Sequence, residues 1–271
     1  VYKNKLENLA IDILQIPTNF KRELVLSTED YDKTLKFENL SKKISNYDPL
    51  KITREEVDDF LNIAQVSREL EKPVLETHGL YLRAIRIAEK FGNLNQRFEA
   101  YYGLAWTANF WFEDNQIFED NLIKAFNCLK DSSSSILWAD FVSLLTLHIS
   151  HHYQEIDKSP VKEMVDSTIT QLELIANDES RPSNSLLAKI AIQRILMILN
   201  YGNNLGLENI FAELLSLVKE GENLIGFAFG DIEYLIEQLS DLFEAIDSYQ
   251  HLRDYFIEQS IKRLHDVKNG K

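Results

Sequence analysis

The chain has 271 residues, of which 45% are hydrophobic and 27% charged, so it can form a substantial core and disorder is not expected. Its formal net charge of −14 disfavours a large nucleic-acid interface, because phosphates need Lys and Arg partners. Cys128 is the only cysteine, which excludes an internal disulfide and favours a reducing, cytoplasmic compartment. We expect no signal peptide and no membrane span, since no run of about eighteen apolar residues occurs.

Hydrophobic residues recur at helical spacing along nearly the whole chain. Nine Gly and five Pro are too few to supply the turns of a fold built from many strands, so long helices are favoured. The first predicted region is an irregular N-terminal helical segment, residues 1–72. Within it Pro17 ends one helix, residues 27–30 start a second, and Thr53 with Glu56 forms a capping box that starts a third.

From residue 73 onward the predicted helices come in pairs that are joined by short polar segments. A helix over residues 74–91 ends at Gly92. Four pairs follow: 98–112 with 117–129, 136–153 with 161–175, 186–199 with 207–218, and 232–246 with 249–264. A serine run, residues 132–135, supplies an N-cap before Ile136. Consecutive helix pairs of this kind are typical of an α-solenoid.

Small and large side chains alternate along the predicted helix 98–112, which contains Gly103, Ala105 and Ala108 together with Tyr102, Trp106 and Phe110. Small residues let a neighbouring helix approach, and large ones fill the space beside it. We therefore expect Trp106 and Phe110 to be buried between helix pairs. On that expectation Trp106→Ala destabilises the fold by roughly 3–5 kcal/mol.

The last helix pair resembles the tetratricopeptide repeat family. Its apolar, small, aromatic and turn positions match those of that family at Leu239, Ser240, Phe243, Ile246, Asp247, Tyr249, Leu252 and Phe256. The turn Asp247-Ser248 replaces a Gly-led pair, and Leu252 is larger than the usual Ala. A looser match over residues 100–126 uses Leu104, Ala105, Trp106, Ala108 and Ala125. The resemblance spans about residues 74–266, at intervals wider and less equal than the family's roughly 34 residues.

What the resemblance implies is a concave groove, lined by the first helix of each pair, that holds a peptide or a partner's helix. We predict an all-α fold: a right-handed α-solenoid of stacked antiparallel helix pairs over residues 73–271, behind the N-terminal helical segment 1–72. Repeats of this kind usually build binding surfaces. The predicted function is a non-enzymatic protein- or peptide-binding module, such as a scaffold, a sensor or the recognition part of a regulator. No cofactor is expected, and the oligomeric state is left open.

Candidate groove residues lie on the predicted helix 98–112. Tyr102 and Trp111 could pack against a peptide side chain, and the Asn109 amide could pair with a peptide backbone because it offers both a donor and an acceptor. Core packing accounts for most aromatic residues here. One or two rings left in the groove would be binding anchors.

An acidic segment, residues 207–247, contains ten acidic residues and one basic residue. Such runs usually serve only to solvate the surface. The alternative is a docking face for a basic partner, with Glu233, Glu237 and Glu244 as its candidate residues.

A histidine cluster supports a second functional hypothesis, a metal-dependent hydrolase. His148, His151, His152 and Glu155 share one side of a helix and have ligand spacing. The pattern lacks the glutamate that stands between the two ligands of the His-Glu-x-x-His motif. A polar end of an apolar helix is therefore the simpler interpretation, and no metal is assigned.

Overall fold

The computed structural model describes residues 28–152, 160–201 and 203–224, with residues 254, 257–258 and 261–262. In these residues the chain forms α-helices and one π-helical turn, with no strand, which confirms the predicted all-α class. None of the helices described is long and apolar enough to cross a membrane. The chain divides into two compact units, Val1–Ser132 and Ser133–Lys271.

The first unit contains five described helices and the π-helical turn that continues the fourth. They are α1 (Thr28–Ser45), α2 (Arg54–Glu69), α3 (Val74–Phe91), α4 (Leu94–Thr107), the π turn (Ala108–Phe112) and α5 (Asn115–Leu129). Each helix packs on the next in the chain, and α4 also contacts α2. The core includes Phe60, Leu104 and Phe118, each 2% exposed or less. The predicted division after residue 72 falls inside this unit, between α2 and α3.

Capping boxes start two of these helices. At α2 the Thr53 hydroxyl accepts a hydrogen bond from the Glu56 amide at 3.3 Å, and the Thr53 amide donates to the Glu56 carboxylate at 2.7 Å, as predicted. Asn93 and Gln96 form a second box, so α4 begins at Leu94 and not at residue 98. The Gln96 amide also donates to the Arg54 carbonyl at 2.7 Å, which ties the start of α4 to α2.

The second unit contains α6 (Ser135–His151), α7 (Pro160–Ala176), α8 (Pro182–Leu199) and α9 (Asn204–Glu222). Helix α8 packs against the other three. Ser134 caps α6, as the serine run predicts. Asn184 accepts hydrogen bonds from the Ser135 amide at 2.9 Å and hydroxyl at 2.7 Å, which joins the starts of α6 and α8.

Several predictions concern the C-terminal part of the chain. Apart from the few positions named above, the helix pair 232–246 and 249–264 lies outside the described residues. All eight residues of the best tetratricopeptide match lie outside them too. Glu233, Glu237 and Glu244 also lie outside them. The acidic docking face and its basic partner therefore stay predictions.

Candidate binding surface on helix α4

Five aromatic side chains follow one another along α4 and the π turn. The rings of Phe98, Tyr102, Trp106 and Phe110 have successive centroid distances of 5.7, 6.0 and 4.6 Å. Trp111 meets Phe110 edge-on at 6.5 Å. We call these five residues the aromatic column. Their spacing is that of favourable aromatic pairs, so the column is one continuous apolar feature.

The aromatic column is buried at its start and exposed at its end. Phe98 is 2% exposed, and Tyr102 and Trp106 are half-buried. Phe110 is 48% exposed and Trp111 is 39% exposed. The prediction that Phe110 is buried is therefore wrong, and Trp106 is only partly covered. The column runs from the core of the first unit to a pair of exposed rings.

The π turn changes the direction of Phe110 relative to the rings that precede it in α4. Residues four apart in an α-helix differ by about 40° in direction, because each residue rotates the chain by about 100°. A row of rings at that spacing gradually winds around the helix. The π turn is wider by one residue, which counteracts this drift. In this stretch the Phe110 ring packs against Trp106 with centroids 4.6 Å apart, the shortest centroid distance in the aromatic column.

Hydrogen bonds fix the corner at which the exposed rings lie. The Thr107 hydroxyl donates to the Gly103 carbonyl at 2.7 Å, a contact of the kind that bends helices. The π turn ends at Glu113, which has φ 52° and donates its amide to the Ala108 carbonyl. The Asp114 amide donates to the same carbonyl at 3.1 Å, and its side chain caps α5. Because π turns are frequent at functional sites, this corner is a candidate for a functional site.

Helix α4 is held against α3 by a close contact at Gly103. A Cβ atom at this position would lie 2.9 Å from Cε1 of Tyr81, whose side chain is 3% exposed. Burial raises the pKa of the Tyr81 phenol above its ordinary value. The small residue therefore does what the sequence predicts, allowing two helices to approach.

Arg68, in the last turn of α2, lies beside the exposed end of the aromatic column. Its Cζ atom is 5.1 Å from the centroid of the Trp111 ring, within the range of a cation–π contact. Its Nε atom is buried and has no hydrogen-bond partner. Among the residues that the structure describes, the guanidinium has no carboxylate partner either. Sequence reasoning missed Arg68 because it belongs to another helix, and no short-range pattern links it to the rings.

The three predicted groove residues lie on or next to the aromatic column. Tyr102 and Trp111 belong to it, separated by Trp106 and Phe110. Asn109 is half-buried and lies in the π turn, not in a regular helix as expected. Within the described part of the chain its amide has no hydrogen-bond partner. It can therefore still pair with a ligand's backbone.

The histidine cluster is only partly brought together. The rings of His148 and His152 meet edge-on, with centroids 4.7 Å apart. His148 is 8% exposed, whereas His151 is exposed. Glu155 lies outside the described residues. Two of the three predicted histidines are thus neighbours, and the third differs from His148 in its environment.

No protein-family model and no curated protein matches the chain. Among solved structures the chain is similar to the crystal structure of BtubC (BKLC) from P. vanneervenii, with a TM-score of 0.54 and 12% sequence identity. The similarity covers 92% of this chain and 94% of that one. At this identity the likeness concerns the fold alone, over nearly the full length of both chains.

Proposed function

We propose that this chain is a non-enzymatic, cytoplasmic protein- or peptide-binding module, and that its helices form a right-handed α-solenoid of stacked antiparallel pairs. Chain-neighbour packing of α2 with α3 and of α4 with α5 supports that arrangement. The observation that carries the binding function is the exposed end of the aromatic column, at Phe110 and Trp111.

Two adjacent, partly covered rings suit a binding anchor. Aromatic side chains bury large areas, and interface hot spots are enriched in Trp and Tyr. Phe110 and Trp111 are held by a hydrogen-bonded corner, so little conformational entropy would be lost when a partner covers them. Asn109, which directly precedes Phe110, would form hydrogen bonds with the partner's backbone through its side-chain amide.

Peptide selection followed by titration tests this proposal. Random peptides displayed on phage are panned against the full chain, and an enriched peptide is titrated calorimetrically into variants. Phe110→Ala combined with Trp111→Ala should weaken binding by about a hundredfold or more, since hot-spot residues each contribute about 2 kcal/mol or more.

The matched control removes two exposed aliphatic side chains from the same unit. Val74 and Leu75 are 45% and 86% exposed at the start of α3. Val74→Ala combined with Leu75→Ala should leave the affinity unchanged. Equal affinity of the ring variant and the parent would show that the partner binds elsewhere.

The alternative function is a metal-dependent hydrolase organised on His148, His151 and His152. The contact between His148 and His152 favours it, because two imidazoles one helical turn apart can share a divalent ion. Elemental analysis of the purified protein separates the two functions. Stoichiometric metal that disappears in His148→Gln would favour the hydrolase, and metal far below one ion per chain would count against it.

A further inference from the structure

Arg68 differs in its surroundings from two lysines of the first unit. Lys72 is paired with Glu76 at 3.0 Å, and Lys33 lies 4.0 Å from Glu69. Arg68 instead has a buried Nε without a partner and contacts the face of Trp111. Arg68 lies in the last turn of α2, where the helix dipole favours a cation, but the dipole does not give the buried Nε–H group a hydrogen-bond partner.

The chemistry of a guanidinium in this position favours one kind of ligand group. A half-buried cation has lost part of its hydration, so an opposite charge that covers it stabilises it. The Nε atom is itself too buried for a ligand to reach, so such a group would bind the outer Nη atoms of the guanidinium. A carboxylate matches the planar fork of donors and forms short, charge-assisted hydrogen bonds. The Trp111 ring, packed against the guanidinium, restricts the orientation of that fork. The surface formed by Arg68 and Trp111 is thus suited to a ligand that carries a carboxylate next to an apolar group.

We propose that the partner is a peptide segment in which an apolar side chain packs on Phe110 and Trp111 while a neighbouring carboxylate binds the guanidinium of Arg68. This inference rests on the proposed function and adds the chemical class of the ligand. It makes Arg68 the residue that selects for acidic peptides, and the two rings the source of most of the affinity.

The negative net charge of the whole chain affects how an acidic peptide could bind. At −14 the protein repels an acidic peptide at long range. The attraction to Arg68 therefore has to act at contact distance, after the apolar side chain has reached the rings. A peptide that is acidic without an apolar neighbour should bind poorly.

The test uses the random-peptide selection on the full chain and on Arg68→Gln. Peptides enriched on the parent should carry Asp or Glu close to an apolar residue, more often than the unselected library does. Selection on Arg68→Gln should keep the apolar residue and lose the acidic preference. For one acidic parent-selected peptide, Arg68→Gln should weaken binding by about tenfold to a hundredfold.

Arg83→Gln is the matched control. Arg83 also lies over an aromatic ring, with its Cζ atom 4.9 Å from the Phe60 centroid. That ring is 2% exposed, so it cannot serve as a binding anchor. Its replacement should leave acidic selection and affinity unchanged. Thermal melting of both variants shows whether either one is simply misfolded, and Arg68→Lys provides a milder second variant that should retain part of the acidic preference.

The outcomes separate this inference from the function on which it rests. Peptides that need Phe110 and Trp111 but show no acidic enrichment would overturn the role of Arg68 and leave the binding module standing. Peptides whose affinity is the same in Arg68→Gln, Arg68→Lys and the parent would do the same. Peptide binding that is unchanged when Phe110 and Trp111 are replaced by Ala would overturn both the role of Arg68 and the proposed binding surface.

Discussion

The two ends of the aromatic column show how the same residue type takes on different roles. Phe98 and Phe110 lie on one run of rings at helical spacing, yet Phe98 is 2% exposed and Phe110 is 48% exposed. Neighbouring helices cover the first ring and leave the second half open. The buried end contributes to stability, and the exposed end is free to contribute to binding.

Removing each ring in turn should give the largest difference in stability between the two ends of the column. Phe98→Ala should lower the free energy of unfolding by about 3–5 kcal/mol, because it leaves a cavity in the core. Phe110→Ala should lower it by less than about 1 kcal/mol, because much of that ring already faces water. Urea titration followed by circular dichroism measures both. Similar losses in the two variants would mean that the exposed end is also part of the core.

Two glycines test whether the close packing of α4 on α3 supports the buried end. Gly103→Ala should destabilise the fold by about 1–3 kcal/mol, because the new methyl group would meet the Tyr81 ring at 2.9 Å. A Cβ placed at Gly79, in α3, would have no atom of another described part of the chain within 4 Å, so Gly79→Ala should stabilise the fold by about 0.5–1 kcal/mol. The same urea titration compares them. A stabilising Gly103→Ala would show that the two helices have room to spare.

The pH dependence of stability at Tyr101 provides a further test, with a smaller expected effect. Tyr101 is 9% exposed and donates to the Glu89 carboxylate at 2.5 Å, while Tyr102 is half-buried in the column. Burial first, and then the Glu89 hydrogen bond, raise the pKa of Tyr101 well above 10. The contribution of Tyr101 to stability is thus complete below about pH 10 and is lost as the pH rises, because the unfolded chain ionises first.

Tyr101→Phe should therefore reduce the loss of stability above about pH 10 relative to the parent. Urea midpoints between pH 9 and pH 11 provide the measurement. An identical alkaline decline in Tyr101→Phe and the parent would place the titrating group elsewhere.

Features that depend on neighbouring residues in the sequence were predictable. The Thr53–Glu56 capping box and the serine cap of α6 need only a few adjacent side chains, and both occur. The Asn93–Gln96 box has an equally local signal, which hydrophobic periodicity alone does not include. Such signals set where helices begin.

Features that depend on tertiary contacts were not predictable in the same way. The π turn at Ala108–Phe112 is invisible to a 3.6-residue periodicity, so a continuous helix was expected there. Exposure of Phe110 depends on which helices cover the ring. Arg68 reaches Trp111 from another helix. These three features define the candidate binding surface, and they became visible only in the structure.

Fluorine NMR of 5-fluorotryptophan-labelled protein tests the central claim most directly. The chain has three tryptophans: Trp111 is 39% exposed, Trp106 is half-buried, and Trp138 is 0% exposed in the second unit. Signals are assigned with single Trp→Phe variants, and a selected acidic–apolar peptide is added to saturation. The account predicts that the Trp111 resonance shifts most, that Trp106 shifts less, and that Trp138 does not move. A bound peptide that leaves Trp111 and Trp106 unchanged would contradict it.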